Sequence, residues 1–305
     1  MDIFIQQIIN GLVLGSIYAL VALGYTMVYG IMGLINFAHG EVVMIGAMVA
    51  LFTLKALSGL PAIVSVPIAL AAAAAVCMAV GYSIEKIAYR PLRRAPKLAP
   101  LITAIGISII LQHLAMLIWG RNYHAFPAVL PVSEHDIFGA TITSLQVVII
   151  VIAAAMMAGL TLLVQRTRLG RAMRATAENP PIAQLMGVNI NQIISATFVI
   201  GSALAAVAGL MVSANYSIAH YYMGFMLGLK AFTAAVLGGI GNLAGAMLGG
   251  ILLGIIESLR AGYIGDLTGG FLGSHYQDIF AFFVLIGVLV FRPSGLIGER
   301  VAERA

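Results

Sequence analysis

One loop of the sequence has the residue order of a short capped helix. The run Glu178-Asn179-Pro180-Pro181 ends any helix that precedes it, because proline cannot continue a helix. Asn179 is a favoured N-cap residue, and Pro180 is favoured as the first residue of a new helix. Gly187 is typical of the position that follows a helix C-terminus. The pattern predicts a helix of about two turns over Pro181–Met186.

The chemistry available to this helix is non-covalent binding. It would display Ile182, Leu185 and Met186 from the loop 165–192, outside the apolar part of the chain. An apolar patch that helix caps hold in water indicates docking into a groove on another protein. A helix lying on lipid headgroups is the alternative.

Glu41 is one of few ionisable residues close to or within an apolar stretch. It follows the break Asn36–Gly40 and would begin a membrane span, where a carboxylate complements the positive end of the helix. One interpretation is a helix cap at the membrane interface. The other is a contact on the gate side of a translocation path, because charges within the bilayer usually face a cavity.

Three further charged residues lie towards the C-terminal half of the chain. Lys230 is interpreted as an anchor at the outer face or a contact for an external binding protein rather than a substrate ligand. Glu257 and Arg260 have the spacing of a helical i,i+3 pair. The spans otherwise lack an acidic residue at mid-membrane, which argues against a secondary carrier that uses Na⁺ or H⁺.

The stretch Leu229–Ile256 is interrupted by glycine. As one helix it would be about 42 Å long, too long for an upright crossing, and it contains Gly238-Gly239-Ile240-Gly241-Asn242, a poor helix sequence. Two half-length helices, or a re-entrant pair, meeting at this glycine turn are predicted. A single steeply tilted span is the alternative.

Small residues every fourth position allow close helix packing in a membrane, or keep a gate free of bulk. Gly241, Gly245 and Gly249 have this spacing, as do Gly250 and Gly254. The candidates for the gate or translocation path are Asn36, Phe37, Glu41, Gly238, Gly239, Gly241, Asn242 and Gly245.

The sequence offers no catalytic or metal-binding pattern. Its six histidines are scattered without ligand spacing, and Cys77 is the only cysteine. The phosphate-binding pattern G-x-x-x-x-G-K-[ST] is missing from it. We therefore expect no enzyme activity and no cofactor in this chain, and any ATP would be bound by another polypeptide.

Composition indicates how these residues are positioned. Only 9% of the residues are charged and 61% are hydrophobic, whereas soluble domains average about 25% charged. Basic residues flank apolar runs instead of forming the continuous face that nucleic acid requires, which excludes nucleic-acid binding. The chain is expected to be one all-α transmembrane bundle over residues 1–305, in contact with lipid, with about eight spans (8–10 counting half-helices). The predicted spans are Ile8–Tyr29, Val42–Leu57, Ile63–Ile84, Leu98–Gly120, Leu145–Val164, Ile193–Ser213, the stretch Leu229–Ile256, and Ile279–Phe291.

Most of the 16 Lys and Arg residues fall in three clusters. By the positive-inside rule these clusters are cytoplasmic. Three spans precede the first cluster, so the N-terminus is expected outside, the segment 121–143 external, and the C-terminus cytoplasmic. The clusters are Lys86, Arg90, Arg93, Arg94 and Lys97; Arg166, Arg168, Arg171 and Arg174; and Arg292, Arg300 and Arg304.

Four segments, in this order, resemble a known family. They are Gly33–Glu41 (GLINFAHGE), Tyr89–Ile102 (YRPLRRAPKLAPLI), the loop 165–192, and Phe232–Gly250 (FTAAVLGGIGNLAGAMLGG). Together they resemble the permease subunits of bacterial branched-chain amino acid ABC transporters, and more narrowly the shorter, H-type permease of the pair. The resemblance covers essentially the whole chain.

This resemblance implies a multi-pass subunit of the bacterial inner membrane that imports leucine, isoleucine or valine. It implies a heterodimer with a second related permease, two cytoplasmic ATPases that bind ATP and Mg²⁺, and a periplasmic amino-acid-binding protein. The loop engaging an ATPase would be Glu178, Asn179, Pro180, Pro181, Ile182, Leu185, Met186 and Gly187. A related permease for urea or short amides is the alternative within the class, and an autonomous secondary transporter is the alternative outside it.

Overall fold

The computed structural model describes residues 2–93, 95–96, 98–130, 133–137, 139–267, 277–292 and 294–298. Arg94, Lys97, His275, Arg300 and Arg304 therefore lie outside the described residues. The helices are α1 (Asp2–Met32), α2 (His39–Ala56), α3 (Ala62–Ser83), α4 (Arg90–Leu92), α5 (Leu98–Trp119), α6 (Ser144–Arg166), α7 (Arg168–Glu178), α8 (Pro180–Leu185), α9 (Ile190–Tyr216), α10 (Met223–Gly238), α11 (Leu243–Leu267) and α12 (Gln277–Phe291). A π-helix, Ile84–Tyr89, joins α3 to α4.

The predicted all-α membrane bundle is confirmed. Seven helical segments of the described residues are long and apolar enough to cross a membrane, and α10 and the end of α12 are shorter apolar helices. The most apolar stretch of α1, α2 and α9 is 72% buried, against 17–22% for α3, α5 and α6. The helices α1, α2 and α9 therefore form the centre of the bundle. The helices α3, α5 and α6 lie at its periphery.

Glycine residues bring the backbones of α1 and α11 into direct contact. The two helices run antiparallel, with Gly11 beside Ile255 and Gly15 beside Ile251. A Cβ atom on Gly11 would lie 2.6 Å from the Ile255 Cα, and one on Gly254 would overlap the backbone of Gly15. The glycines that recur every fourth residue on α11 therefore allow close helix packing, which is one of the two interpretations given above. The matching glycines on α1, Gly11 and Gly15, were not predicted as packing residues.

The stretch Leu229–Ile256 is divided between two helices, α10 and α11, and a tight turn joins them. Gly239 and Gly241 have φ angles of +113° and +97°, which L-residues with side chains rarely adopt. The single tilted span is wrong. The half-length expectation is also wrong for α11, which has 25 residues and continues past Glu257.

The bundle has two distinct ends. The C-terminus of α1 shares a cleft with Gln165, Arg174 and the α10–α11 turn, and the Leu296 N–H donates to the Leu237 carbonyl. We call this the basic end, because the arginines of α7 and Arg292 also lie there. The helix α8 lies at the same end. At the opposite end Gln6 is hydrogen-bonded to Thr141.

Two small antiparallel sheets lie at this opposite end, which we call the sheet end. Their strands are β1 (His124–Ala125) with β4 (Ile218–Ala219), and β2 (Glu134–Ile137) with β3 (Ala140–Thr143). The sequence analysis did not predict these strands. They are only two to four residues long, too short for a recognisable alternating pattern.

We expect Gly254→Leu to prevent folding, because the new side chain must displace the α1 backbone, and overpacking costs about 1–3 kcal/mol even where atoms can shift. Gly159→Leu on α6 is the matched control, since a Cβ there meets nothing within 4 Å. Size-exclusion chromatography in detergent should show a monodisperse peak for the control only. Equal yields of both variants would contradict the packing argument.

Candidate functional site

The helix α8 is capped as its sequence predicts. The Asn179 side chain accepts a hydrogen bond from the Ile182 N–H at 3.1 Å, and the helix begins at Pro180. Gly187 has a φ of +85°, and the Val188 N–H donates to the Ala183 carbonyl at 3.0 Å. This is the hydrogen-bond pattern of a Schellman C-terminus. The caps fix a short helix that would be marginal by itself.

The side chains that α8 displays are apolar and open to solvent. Ile182, Leu185 and Met186 are 56%, 87% and 80% exposed, whereas Ala183 is buried and holds the helix against the protein. A cleft of about 1010 Å³ lies between α8 and the α3–α4 region, with Arg90, Arg93 and Gln184 among its lining residues. The basic end thus presents an apolar ridge beside two arginines, which suits a protein partner.

A buried carboxylate anchors this surface. Glu85 in the π-helix is fully buried, and its oxygens accept hydrogen bonds from Arg90 at 2.7 and 3.2 Å and from the Ser195 hydroxyl at 2.7 Å. Arg93 also donates to Glu85, and its other nitrogen donates to Asn191 at 2.5 Å. These bonds tie the α3–α4 region to the start of α9, directly behind α8.

Glu85 was not predicted as a structural residue, because Ser195, its partner on α9, lies 110 positions away. The only local signal was an acid five residues before Arg90 at the end of an apolar run. Both arginines had been assigned to a basic loop, but the structure places Arg90 on α4. A buried charge is tolerated where an opposite charge and hydrogen bonds compensate it. The two arginines provide both for the Glu85 carboxylate.

The predicted gate residues fall into two groups at the two ends of α10. Asn36, Phe37 and Glu41 lie where α2 begins, near Gly224 and Phe232 of α10. The other five form the α10–α11 turn. Gly224 and Gly238 are fourteen positions apart, or about 21 Å of helix. The gate role of these residues stays a prediction.

The start of α2 is deep inside the bundle. The His39 ring lies against Gly24, where a Cβ atom would overlap it, and Gly24 precedes the end of α1 by eight positions, or about 12 Å. Asn36 stabilises the link, since its side-chain oxygen accepts from the Ala38 N–H and the Tyr89 hydroxyl, both at 3.2 Å. Non-helical backbone is tolerated at depth where protein surrounds it.

Glu41 lies in the first turn of α2, as predicted, and it is fully buried, but it forms no cap hydrogen bond at the start of this helix. One carboxylate oxygen accepts from the Ser108 hydroxyl at 3.2 Å. The other lies beside Gly224, at the beginning of α10. This second oxygen is buried and has no hydrogen-bond partner among the described residues, so only half of the carboxylate is satisfied within the bundle.

The second group forms the α10–α11 turn. Gly245 packs on Gly238, and the Asn242 side chain accepts from the Gly245 N–H at 3.1 Å and donates to the Ile297 carbonyl at 3.0 Å. The Ile297 N–H donates to the Gly238 carbonyl at 2.9 Å. The segment 294–298 therefore braces the turn at the basic end.

Lys230 is not an anchor at the outer face. Its side chain is 14% exposed, and its ammonium lies 2.6 Å from the Glu257 carboxylate, which also accepts from the Tyr18 hydroxyl at 2.9 Å. The ion pair shown for Glu257 is thus with Lys230, not with Arg260. Glu257 lies inside α11, so the argument from missing mid-span acids is wrong.

Among the described residues, no group of three or more His, Cys, Asp or Glu side chains could hold a metal ion. The fold and these surfaces define the class of the protein: a multi-pass helical membrane protein that displays an apolar helix beside a basic cleft.

The sequence identifies the family within this class. Residues 7–289 match the family described as the branched-chain amino acid transport system permease component. The chain belongs to this family, which confirms the resemblance.

Named relatives match nearly the whole chain. The high-affinity branched-chain amino acid transport system permease protein BraD of Pseudomonas aeruginosa is 50% identical, over 99% of this chain and 98% of that protein. The permease LivH of Escherichia coli strain K12 is 44% identical, over 99% and 97%. The probable LivH of Methanocaldococcus jannaschii is 30% identical, over 97% and 94%. With its apolar helices, the chain is a multi-pass protein of the bacterial inner membrane.

We expect Glu85→Ala to lower the free energy of unfolding by about 3 kcal/mol, because it leaves two arginines without their buried partner. Glu178→Ala is the control, since that glutamate is exposed at the end of α7. Thermal unfolding in detergent measures both. The same midpoint for the two variants would show that the Glu85 cluster contributes nothing to stability.

Proposed function

We propose that this chain is a permease subunit of an ATP-driven importer that carries branched-chain aliphatic amino acids across the inner membrane. The observation that carries the proposal is the family match over residues 7–289, together with relatives named for this transport over nearly their full length. The names of the three relatives described above refer to amino acids, and nothing in the described residues favours urea or short amides.

The proposed orientation puts the basic end in the cytoplasm, with the N-terminus outside. All three basic clusters contribute to this end, and positively charged loops remain on the cytoplasmic side during insertion. The sheet end would then face the periplasm, where a binding protein delivers the amino acid. A second, related permease would complete the transmembrane pathway.

The proposed coupling surface is α8, within the segment 165–192. Its apolar ridge would enter a groove on a cytoplasmic ATPase, which binds the ATP and Mg²⁺ that this chain is not expected to bind. A movement of α8 would reach the bundle through two routes. One is the continuous chain from α8 into α9, and the other is the Glu85 cluster, which joins the start of α9 to the α3–α4 region.

The docking role is tested by Ile182→Asp combined with Leu185→Asp. Two carboxylates on the ridge should abolish co-purification with the ATPase, because charges at the centre of an apolar interface are strongly unfavourable. The control is Ile182→Leu with Leu185→Ile, which keeps the ridge apolar and should co-purify normally. Undiminished co-purification of the Asp variant would refute the docking role.

The function itself is tested by uptake of labelled leucine in a strain that lacks this gene and carries it on a plasmid. Uptake should require both this chain and the ATPases, and excess unlabelled isoleucine or valine should compete whereas urea should not. Uptake that persists without the ATPases would reject the proposed ATP-driven importer in favour of a secondary transporter. Competition by urea would reject the substrate class.

A further inference from the structure

A cavity of about 300 Å³ lies towards the sheet end, between α1, α9 and α10. Leu14, Ile17, Val212, Met226 and Leu227 provide apolar walls. This volume is at the lower end of the roughly 300–1,000 Å³ of small-molecule sites. At about 30 Å³ per water-sized group, it suits a molecule of about ten non-hydrogen atoms rather than a peptide.

The lining of this cavity includes a positively charged side chain. Lys230 lines it, whereas Glu257, its ion-pair partner, lies behind it and is only 3% exposed. Tyr18, another lining residue, donates to the second oxygen of Glu257 and so holds the carboxylate away from the cavity. The pair is neutral in total, and Lys230 is the member of it that lines the space.

Aromatic rings also line this cavity. Tyr123 and His220 are stacked with their ring centroids 4.1 Å apart, and both line the cavity with Tyr222. The faces of aromatic rings attract cations. An aliphatic amino acid would thus meet a cation for its carboxylate, aromatic rings for its ammonium and apolar walls for its side chain.

Stability alone is a weak reason for such an ion pair. Replacing a buried ion pair with well-packed apolar residues is often neutral or stabilising, and intramembrane ionisable residues typically mark substrate pathways. An ammonium has three N–H donors. The pairing with Glu257 therefore does not by itself prevent contact between Lys230 and a second carboxylate.

We propose that this cavity is a transient binding site for small aliphatic amino acids, in which Lys230 contacts the α-carboxylate. The inference rests on the proposed function and deepens it, because it gives the permease its own contact with the substrate. The Glu257 and Tyr18 side chains act as positioning groups that keep the Lys230 ammonium directed to the cavity.

Protection from labelling tests the site without relying on transport. In a Cys77→Ser background, Met226→Cys places a thiol in the cavity wall, and Phe225→Cys places one on the exposed face of the same helix. With the assembled transporter in proteoliposomes, leucine at about ten times its dissociation constant should slow maleimide labelling of Met226→Cys about tenfold. Labelling of Phe225→Cys should not change.

Two analogues identify the group that is recognised. The compound 4-methylpentanoate keeps the carboxylate and should protect, whereas isoamylamine keeps only the amine and should not. Equal protection by isoamylamine, no protection by leucine at any soluble concentration, or no labelling of Met226→Cys at all would overturn the proposal.

A charge exchange separates binding from structure. Lys230→Glu with Glu257→Lys keeps an ion pair between α10 and α11 but turns the negative member to the cavity, so leucine should no longer protect Met226→Cys. Lys230→Arg should retain protection. Protection by leucine in the exchanged variant would overturn the proposal, and if that variant does not fold, the analogue series decides. ATP-driven leucine uptake without protection would reject this inference alone, and loss of uptake with protection intact would reject the proposed function alone.

Discussion

Direct backbone contact between α1 and α11 is the constraint on which the rest of the arrangement depends. In a membrane, apolar side chains gain little by leaving lipid for protein, so close approach through small residues is the main source of helix association. Gly11 and Gly15 on one helix meet Gly250 and Gly254 on the other. This contact fixes α11, and α11 in turn positions α10, because Gly249 packs on the backbone of Ala234 and Gly238.

Three buried glutamates stand at the junctions that this packing creates. Glu41 joins the starts of α2 and α10 to α5, Glu85 joins the α3–α4 region to α9, and Glu257 joins α11 to α1 and α10. Their partners differ: Glu41 accepts from one hydroxyl only, Glu85 is held by two arginines and a hydroxyl, and Glu257 by a lysine and a tyrosine. A carboxylate that needs partners on other helices is satisfied in only one arrangement, so these residues specify the packing as well as stabilising it.

The sequence predicted what is decided locally and failed where partners are distant. The caps of α8 lie within nine residues of each other, and the turn at Gly239 follows from glycine alone, so both were recognised. The length of an apolar run is likewise a local property of the sequence, and it predicted the spans. The predicted span ended just before Glu257, because a charged residue without a partner nearby in the sequence is usually found at the end of a span. Its partner, Lys230, is 27 positions away. The functional role of the gate candidates depends on movement, which neither composition nor periodicity describes.

The helix α10 connects all of these features. Its first turn touches Glu41, its middle carries Lys230 beside the cavity, and its last residues form the turn that segment 294–298 braces. It has 16 residues, about 24 Å, and is thus shorter than a full crossing. Any movement of α10 relative to α2 would change the Glu41 junction and the cavity together, because this helix contributes to both.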